Sequence, residues 1–232
     1  MSFIKNIIFL YKSETKFKVI FIFIKQKLSK FLFKKKIKLA KKNNKNFLKN
    51  YNISNDYFSM NAFNFLQSLK KIKIFKNYLE IGSYEGNSAL FVARNFTDVT
   101  IHCVDTWLGS KEHENENFNY VEKNFLLNTQ KFKNIQSFKL SSDDFFSQYQ
   151  NYKYDCIYVD GDHYCDQVYK DCINAFNSLR PGGILIFDDY TWKYFDKIKE
   201  NPCYAINKFI KLYENKIIID QVTNSQIFLI KI

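Results

Sequence analysis

Two apolar runs, Cys156-Ile157-Tyr158-Val159 and Ile184-Leu185-Ile186-Phe187, each end directly in carboxylates. The first runs into Asp160-Gly161-Asp162-His163-Tyr164 and the second into Asp188-Asp189-Tyr190. Uninterrupted apolar runs of this length, bounded by turn residues, suit strands buried on both faces of a parallel sheet. Ligands of open α/β sheets bind at the carboxyl ends of the strands. Two adjacent strands of this kind would deliver Asp160, Asp188 and Asp189 to one crevice. Three converging carboxylates repel one another unless a cation lies between them. The pattern therefore predicts a metal-assisted site and argues against a simple binding module.

The rest of the chain supplies the sheet. Short apolar segments at 78–82, 99–104 and 135–140 read as strands. Two more end at Asp160 and Asp188, and the chain closes with strands at 216–222 and 226–230. Helical periodicity falls at 58–72, 87–96, 164–179 and 204–213, and before about residue 129. Ser141-Ser142-Asp143-Asp144 has the form of a helix cap, and Pro181-Gly182-Gly183 is expected to stop one helix and feed the fifth strand. Alternating strands and helices predict a doubly wound α/β fold with a mostly parallel, seven-stranded sheet. With no helix between the final two strands, the last is expected to run antiparallel.

Charge divides the chain. Fifteen lysines against the single acid Glu14 give residues 1–50 a charge of +14; the whole chain carries +12, so residues 51–232 carry −2. A basic arm thus precedes a nearly neutral domain at 51–232, which disfavours nucleic acid as the domain's substrate because phosphate tracking needs cations along the binding face. The arm's longest uncharged runs, 6–11 and 19–24, are far shorter than the ~20 residues a membrane span requires. Residues 17–39 fit either a helix on an anionic bilayer, with lysines snorkelling, or a helix packed on the domain or on another subunit. Residues 41–55, rich in Asn and Lys, read as a connector. The five cysteines (Cys103, Cys156, Cys165, Cys172, Cys203) form no CxxC pair. They suit a reducing compartment, the cytoplasm or the cytoplasmic face of a membrane.

Glu80-Ile81-Gly82-Ser83-Tyr84-Glu85-Gly86 sets two glycines four apart between a strand and a helix, where the backbone must turn tightly and approach a ligand. It lacks the third glycine of the dinucleotide fingerprint, and Glu80 would repel a phosphate while favouring a cationic ligand, both against a nicotinamide cofactor. Asp105 ends the second strand, where it could accept from two ribose hydroxyls, and Ser142 and Asp143 fall where an adenine edge would lie.

With these residues in view, 78–190 resembles a class I S-adenosylmethionine-dependent methyltransferase. The carboxylate pair of motifs is similar to those of the metal-dependent small-molecule O-methyltransferases, macrocin O-methyltransferase and its sugar-modifying relatives among them. The resemblance implies cofactor contacts from Glu80, Gly82, Ser83, Gly86, Asn87, Ser88, Asp105, Thr106, Ser142 and Asp143. It implies a divalent cation, Mg²⁺ or another hard ion, on Asp160, Asp188 and Asp189. The expected reaction is methyl transfer to a hydroxyl of a sugar or other small metabolite. His163 is the leading candidate for proton acceptor, with Asp160 or Asp162 able to fill the role instead.

Other readings remain open at this point. Asp162 is expected to cap the helix near Tyr164 more than to bind metal, and His102 reads as a packed core residue. His113 lies in the long 106–119 segment, either solvated or part of a lid. Trp107, Tyr164, Tyr190 and Trp192 would ring the cleft or pack beneath its loops. A metal-independent methyltransferase on another acceptor, and a membrane-associated protein that binds cofactor without catalysis, are the competing functions. A homo-oligomer is compatible with either.

Overall fold

The computed structural model describes residues 3–109 and 118–232. His113 and the glutamates around it lie outside the described residues. The elements are α1 Phe3–Lys12, α2 Phe17–Leu48, α3 Ala62–Leu69, β1 Asn77–Ile81, α4 Asn87–Asn95, β2 Thr100–Asp105, α5 Asn119–Thr129, β3 Ile135–Lys139, α6 Ser142–Gln148, β4 Tyr154–Val159, α7 Cys165–Ser178, β5 Leu179–Phe187, α8 Pro202–Leu212, β6 Ile217–Val222 and β7 Ile227–Lys231.

The seven strands form one sheet in the order β3-β2-β1-β4-β5-β7-β6. β1 to β5 are mutually parallel, and β7 runs antiparallel to both β5 and β6. Strand order reverses between β1 and β4, which opens a crevice at their carboxyl ends. The ladder continues one residue beyond each strand: Gly82 donates to Val104 O at 2.8 Å, Asp160 to Ile81 O at 2.8 Å and Asp188 to Val159 O at 3.0 Å. Gly82, Asp160 and Asp188 therefore stand in a row along the sheet's carboxyl edge.

β4 is buried at every position, as its apolar run predicts. β5 starts earlier than expected. The helix before it ends at Ser178, and Pro181-Gly182-Gly183 belongs to the strand, accommodated by a register shift opposite Tyr154 and Cys156. The predicted 58–72 helix shortens to α3, with Phe58 packed edge-on against Phe65 ahead of it.

The basic arm is built into the domain. Phe9, Leu10, Val19, Ile20 and Phe23 are buried in the same core as β4, β5, α7 and α8. At the usual ~1.5–3 kcal/mol per buried side chain their burial contributes on the order of 10 kcal/mol, before ordering entropy is subtracted. Asn207 on α8 fixes the α1–α2 elbow by donating to Ser13 O and Thr15 Oγ1. The stretch read as a connector is helical as far as Leu48. Its physical reason is Asn44, buried and donating to Ser59 Oγ at 2.9 Å and Asn87 Oδ1 at 3.2 Å, while Arg94 donates back to it and covers the Phe47 ring.

Candidate active site

The carboxyl ends of β1, β2, β4 and β5 open into a cavity of about 800 Å³, within the range of small-molecule sites. One wall is the turn after β1. Gly82 and Gly86 have φ of 83° and 87°, and a Cβ on Gly82 would lie 1.9 Å from Asp160 O. Glycine is obligatory there on both counts. Asp105 holds the turn from β2: Oδ2 accepts from the N–H groups of Ser83 and Tyr84 at 2.8 and 2.9 Å, and Oδ1 accepts from Trp107 at 2.7 Å. Burial raises the Asp105 pKa, and these donors pull it back. The Thr106 N–H adds a fourth backbone donor, so Asp105 is held chiefly by the backbone around it.

Gly82, Ser83, Asn87, Ser88, Asp105, Thr106, Ser142 and Asp143 all line the cavity. Two residues expected to contact cofactor stand behind it. Gly86 packs towards Phe125. Glu80 is fully buried, with Oε2 accepting from Tyr78 and Oε1 without a hydrogen-bond partner. Burial drives the Glu80 pKa up to about 7, partly opposed by the Ser88, Tyr78 and Ser83 hydroxyls. Its negative charge is therefore conditional.

The turns after β4 and β5, beside the glycine turn, carry the acids. Asp160, His163 and Asp189 bring ligand atoms within 4.8 Å of one another. His163 Nε2 lies 2.9 Å from Asp189 Oδ2, and the imidazole packs against Trp192 at 4.9 Å. Burial, then the charges of Asp188 and Asp189, push the Asp160 pKa well up, while His163 lowers it. Two carboxylates and an imidazole in this compass have the donor set and spacing to hold a hard divalent cation.

Asp188 lines the same cavity. Its Oδ2 accepts from Tyr158 at 2.5 Å, Gln226 at 2.7 Å and Asn61 at 3.4 Å, and its Oδ1 accepts from the Asp189 N–H at 2.8 Å. Oδ1, with one donor, keeps a lone pair for a cation, and His163 joins the expected acids at this wall. Burial and the Asp189 charge raise the Asp188 pKa to about 6. Tyr158 also approaches Asp160 Oδ2 at 2.8 Å, joining the two acids through one hydroxyl. Asp162 accepts from the Tyr164 N–H at 2.6 Å in the turn ahead of α7; the N-cap position is Tyr164, so Asp162 is not the cap expected of it, and it faces the cavity.

The aromatic expectations separate. Trp107 and Trp192 line the cavity. Tyr190 is fully buried below it and donates to Asn207 Oδ1 at 2.7 Å, while Tyr164 packs on Phe195 at 5.4 Å. His102 is a core residue, its Nδ1 2.9 Å from the Tyr154 hydroxyl. Tyr84, Trp107 and Asp189 adopt left-handed backbone with φ of 48°, 51° and 51°. Bulky residues in this conformation are strained, and here all three line the cavity, the usual place for such strain.

Sequence reasoning missed the cavity's cover. Ile53 and Asn55 line it from the stretch read as a connector, and Tyr57, Phe58, Met60 and Asn61 from the turns ahead of α3, where the 58–72 helix was expected to begin. Glu85 ties this cover to the turn, accepting from the Ser54 N–H and hydroxyl and from Asn124. Asn61 and Gln226 reach Asp188 from distant sequence and left no local signal. Tyr158 did: two residues before Asp160 on a strand, it shares that residue's face.

Residues 79–190 match the family model for a methyltransferase domain. No curated protein matches the chain. Among solved structures, an O-methyltransferase from Bacillus cereus in complex with SAH is 15% identical with a TM-score of 0.57, the match covering 92% of this chain and 100% of that one. MycE methyltransferase from the mycinamycin biosynthetic pathway, in complex with Mg, SAH and mycinamycin VI, is 16% identical with a TM-score of 0.55. That match covers 76% of this chain and 50% of MycE. TomG from Streptomyces achromogenes, an O-methyltransferase of tomaymycin synthesis in complex with SAM, is 13% identical with a TM-score of 0.53, covering 72% of this chain and 78% of that one. Residues 79–190 thus match a methyltransferase domain, and the sheet order agrees with the fold shared with these solved methyltransferases.

Proposed function

We propose that the chain moves the methyl group of S-adenosylmethionine to a hydroxyl oxygen of a small molecule, a sugar or glycan-pathway metabolite, with help from a divalent cation. The observation that carries this reading is the meeting of Asp160, His163 and Asp189 at the cavity, beside the glycine turn. Two partly buried carboxylates facing one space repel one another unless a cation lies between them. The Mg²⁺ in the MycE complexes supports the same choice.

Each residue then has a task. Gly82 and Ser83 let the backbone approach the cofactor, which supplies an electrophilic methyl when bound. Asp105 keeps that turn closed where the ribose of the cofactor would lie. Ser142 and Asp143 meet the adenine edge. Asp160 and Asp189 would hold the cation, Mg²⁺ or Mn²⁺, whose contribution is to acidify the acceptor hydroxyl. His163 takes the released proton, and Asp189 beside it stabilises the imidazolium. Trp192, packed at a tilt against the imidazole, limits its rotation. Tyr158 and Asp188 hold Asp160 in place from beneath.

The test is transfer of isotopic label from S-adenosylmethionine to a panel of free sugars, nucleotide sugars and phenols, with Mg²⁺ and after exhaustive chelation. Label in a methyl ether of a sugar, lost on chelation and in Asp160→Asn, is the expected result. Equal transfer before and after chelation would remove the cation from the mechanism.

A further inference from the structure

Helix α2 has two apolar faces, and only one is covered. Val19, Ile20 and Phe23 turn inward to the core. On the outer side Phe17, Phe21, Leu28, Phe31 and Leu32 are 80%, 66%, 72%, 82% and 80% exposed. Their spacing of three, four and seven residues keeps them on one stripe. Beside it α1 exposes Ile4, Ile8 and Tyr11 at the same period. An ordinary surface helix turns a polar face outward, and contiguous exposed apolar area marks an interaction surface.

Charge identifies the partner. At 3.6 residues per turn, Lys18, Lys25 and Lys36 fall along one flank of the stripe and Lys27, Lys34 and Lys38 along the other. Glu14, the single acid of residues 1–50, is committed to Lys211 at 3.0 Å and Lys199 at 3.8 Å. A second copy docking through this face would set lysine against lysine with no acid between them. A nucleic acid would use the lysines but leave Leu28 and Leu32 in water. An anionic bilayer uses both, taking the apolar stripe at the acyl boundary and the lysines at the headgroups. Crossing the bilayer is not involved: among the described residues, no helix is long and apolar enough.

We propose that the outer face of α1 and α2 docks the protein on an anionic lipid bilayer, lying in the plane of the interface. This rests on the arm alone and is independent of the reaction proposed for the cavity. The experiment is flotation of the full-length chain with vesicles of phosphatidylcholine, alone or with about one third phosphatidylglycerol. About tenfold more protein should float with the anionic vesicles, and most of it should be released by high salt. Phe31→Ser with Leu32→Ser should abolish flotation while leaving the melting temperature and S-adenosylhomocysteine affinity unchanged, because both side chains point away from the core. Should that variant fail to fold, Lys34→Gln with Lys36→Gln and Lys38→Gln must lower flotation severalfold. Absence of flotation, flotation indifferent to these variants, or a dimer in sedimentation that the Phe31 and Leu32 changes dissociate would each overturn the proposal.

Discussion

Gly82 and Asp160 meet backbone to backbone at the mouth of the sheet: a Cβ on Gly82 would lie 1.9 Å from the Asp160 carbonyl oxygen and 2.7 Å from Gly161 Cα. This contact joins the cofactor turn of β1 to the carboxylate turn of β4. The two halves of the site therefore cannot move independently.

Gly82→Ala is expected to damage both halves. The methyl group must displace the Asp160 backbone, and φ of 83° is strained for alanine. S-adenosylhomocysteine affinity should fall by at least about tenfold, with a stability loss of about 1–3 kcal/mol. Calorimetric titration and thermal melting check this. Near-normal cofactor affinity would mean that the turn is looser than the structure indicates.

Tyr158→Phe tests how Asp160 is positioned. The ring stays packed against Phe65, at 5.1 Å, so the fold should persist. The hydroxyl shared by Asp160 and Asp188 is lost. Divalent-cation affinity should drop about tenfold or more, as for other losses of a ligand's supporting partner. Unchanged affinity by metal titration would remove Tyr158 from the site's architecture.

Glu80 predicts a pH dependence of stability in the ligand-free protein. Its folded pKa of about 7 lies above the ordinary glutamate value of 4.5. The folded state thus retains a proton that the unfolded chain gives up. The associated stability is fully present below about pH 4.5 and declines as pH rises towards 7, by up to about 3 kcal/mol. Melting curves from pH 5 to 8 should show this decline, and Glu80→Gln should flatten it. Parallel curves for the two proteins would contradict the assignment.

His163 separates proton transfer from metal binding. His163→Gln should reduce kcat by about 10²-fold or more, with divalent-cation affinity little changed. If cation affinity falls instead while a basic limb persists in the pH profile, the imidazole is a ligand and another group takes the proton.

The outline of the fold was legible because strand, turn and helix signals agreed. The apolar runs ending at Asp160 and Asp188 marked two strand ends, and Gly82 marked a third. Where the sequence misled, long-range packing overrode local pattern. Asn44 looks like linker composition, yet it is buried against Ser59 and Asn87 and carries α2 to Leu48. Tyr190 sits beside two carboxylates in sequence, yet its ring turns under the cavity towards Asn207. Asp188 and Asp189 are adjacent, but the left-handed backbone at Asp189 points them differently. That Tyr158, Gln226 and Asn61 all donate to Asp188 depends on residues far along the chain, and no local spacing encodes it.

The most direct measurement is calorimetric titration of the full chain with S-adenosylhomocysteine, in Mg²⁺ and again after chelation. Comparable binding in both conditions is predicted, because the cofactor site proposed at the glycine turn and Asp105 uses none of the acids proposed for the cation. Absence of binding in both would contradict the assignment of the cavity to this cofactor.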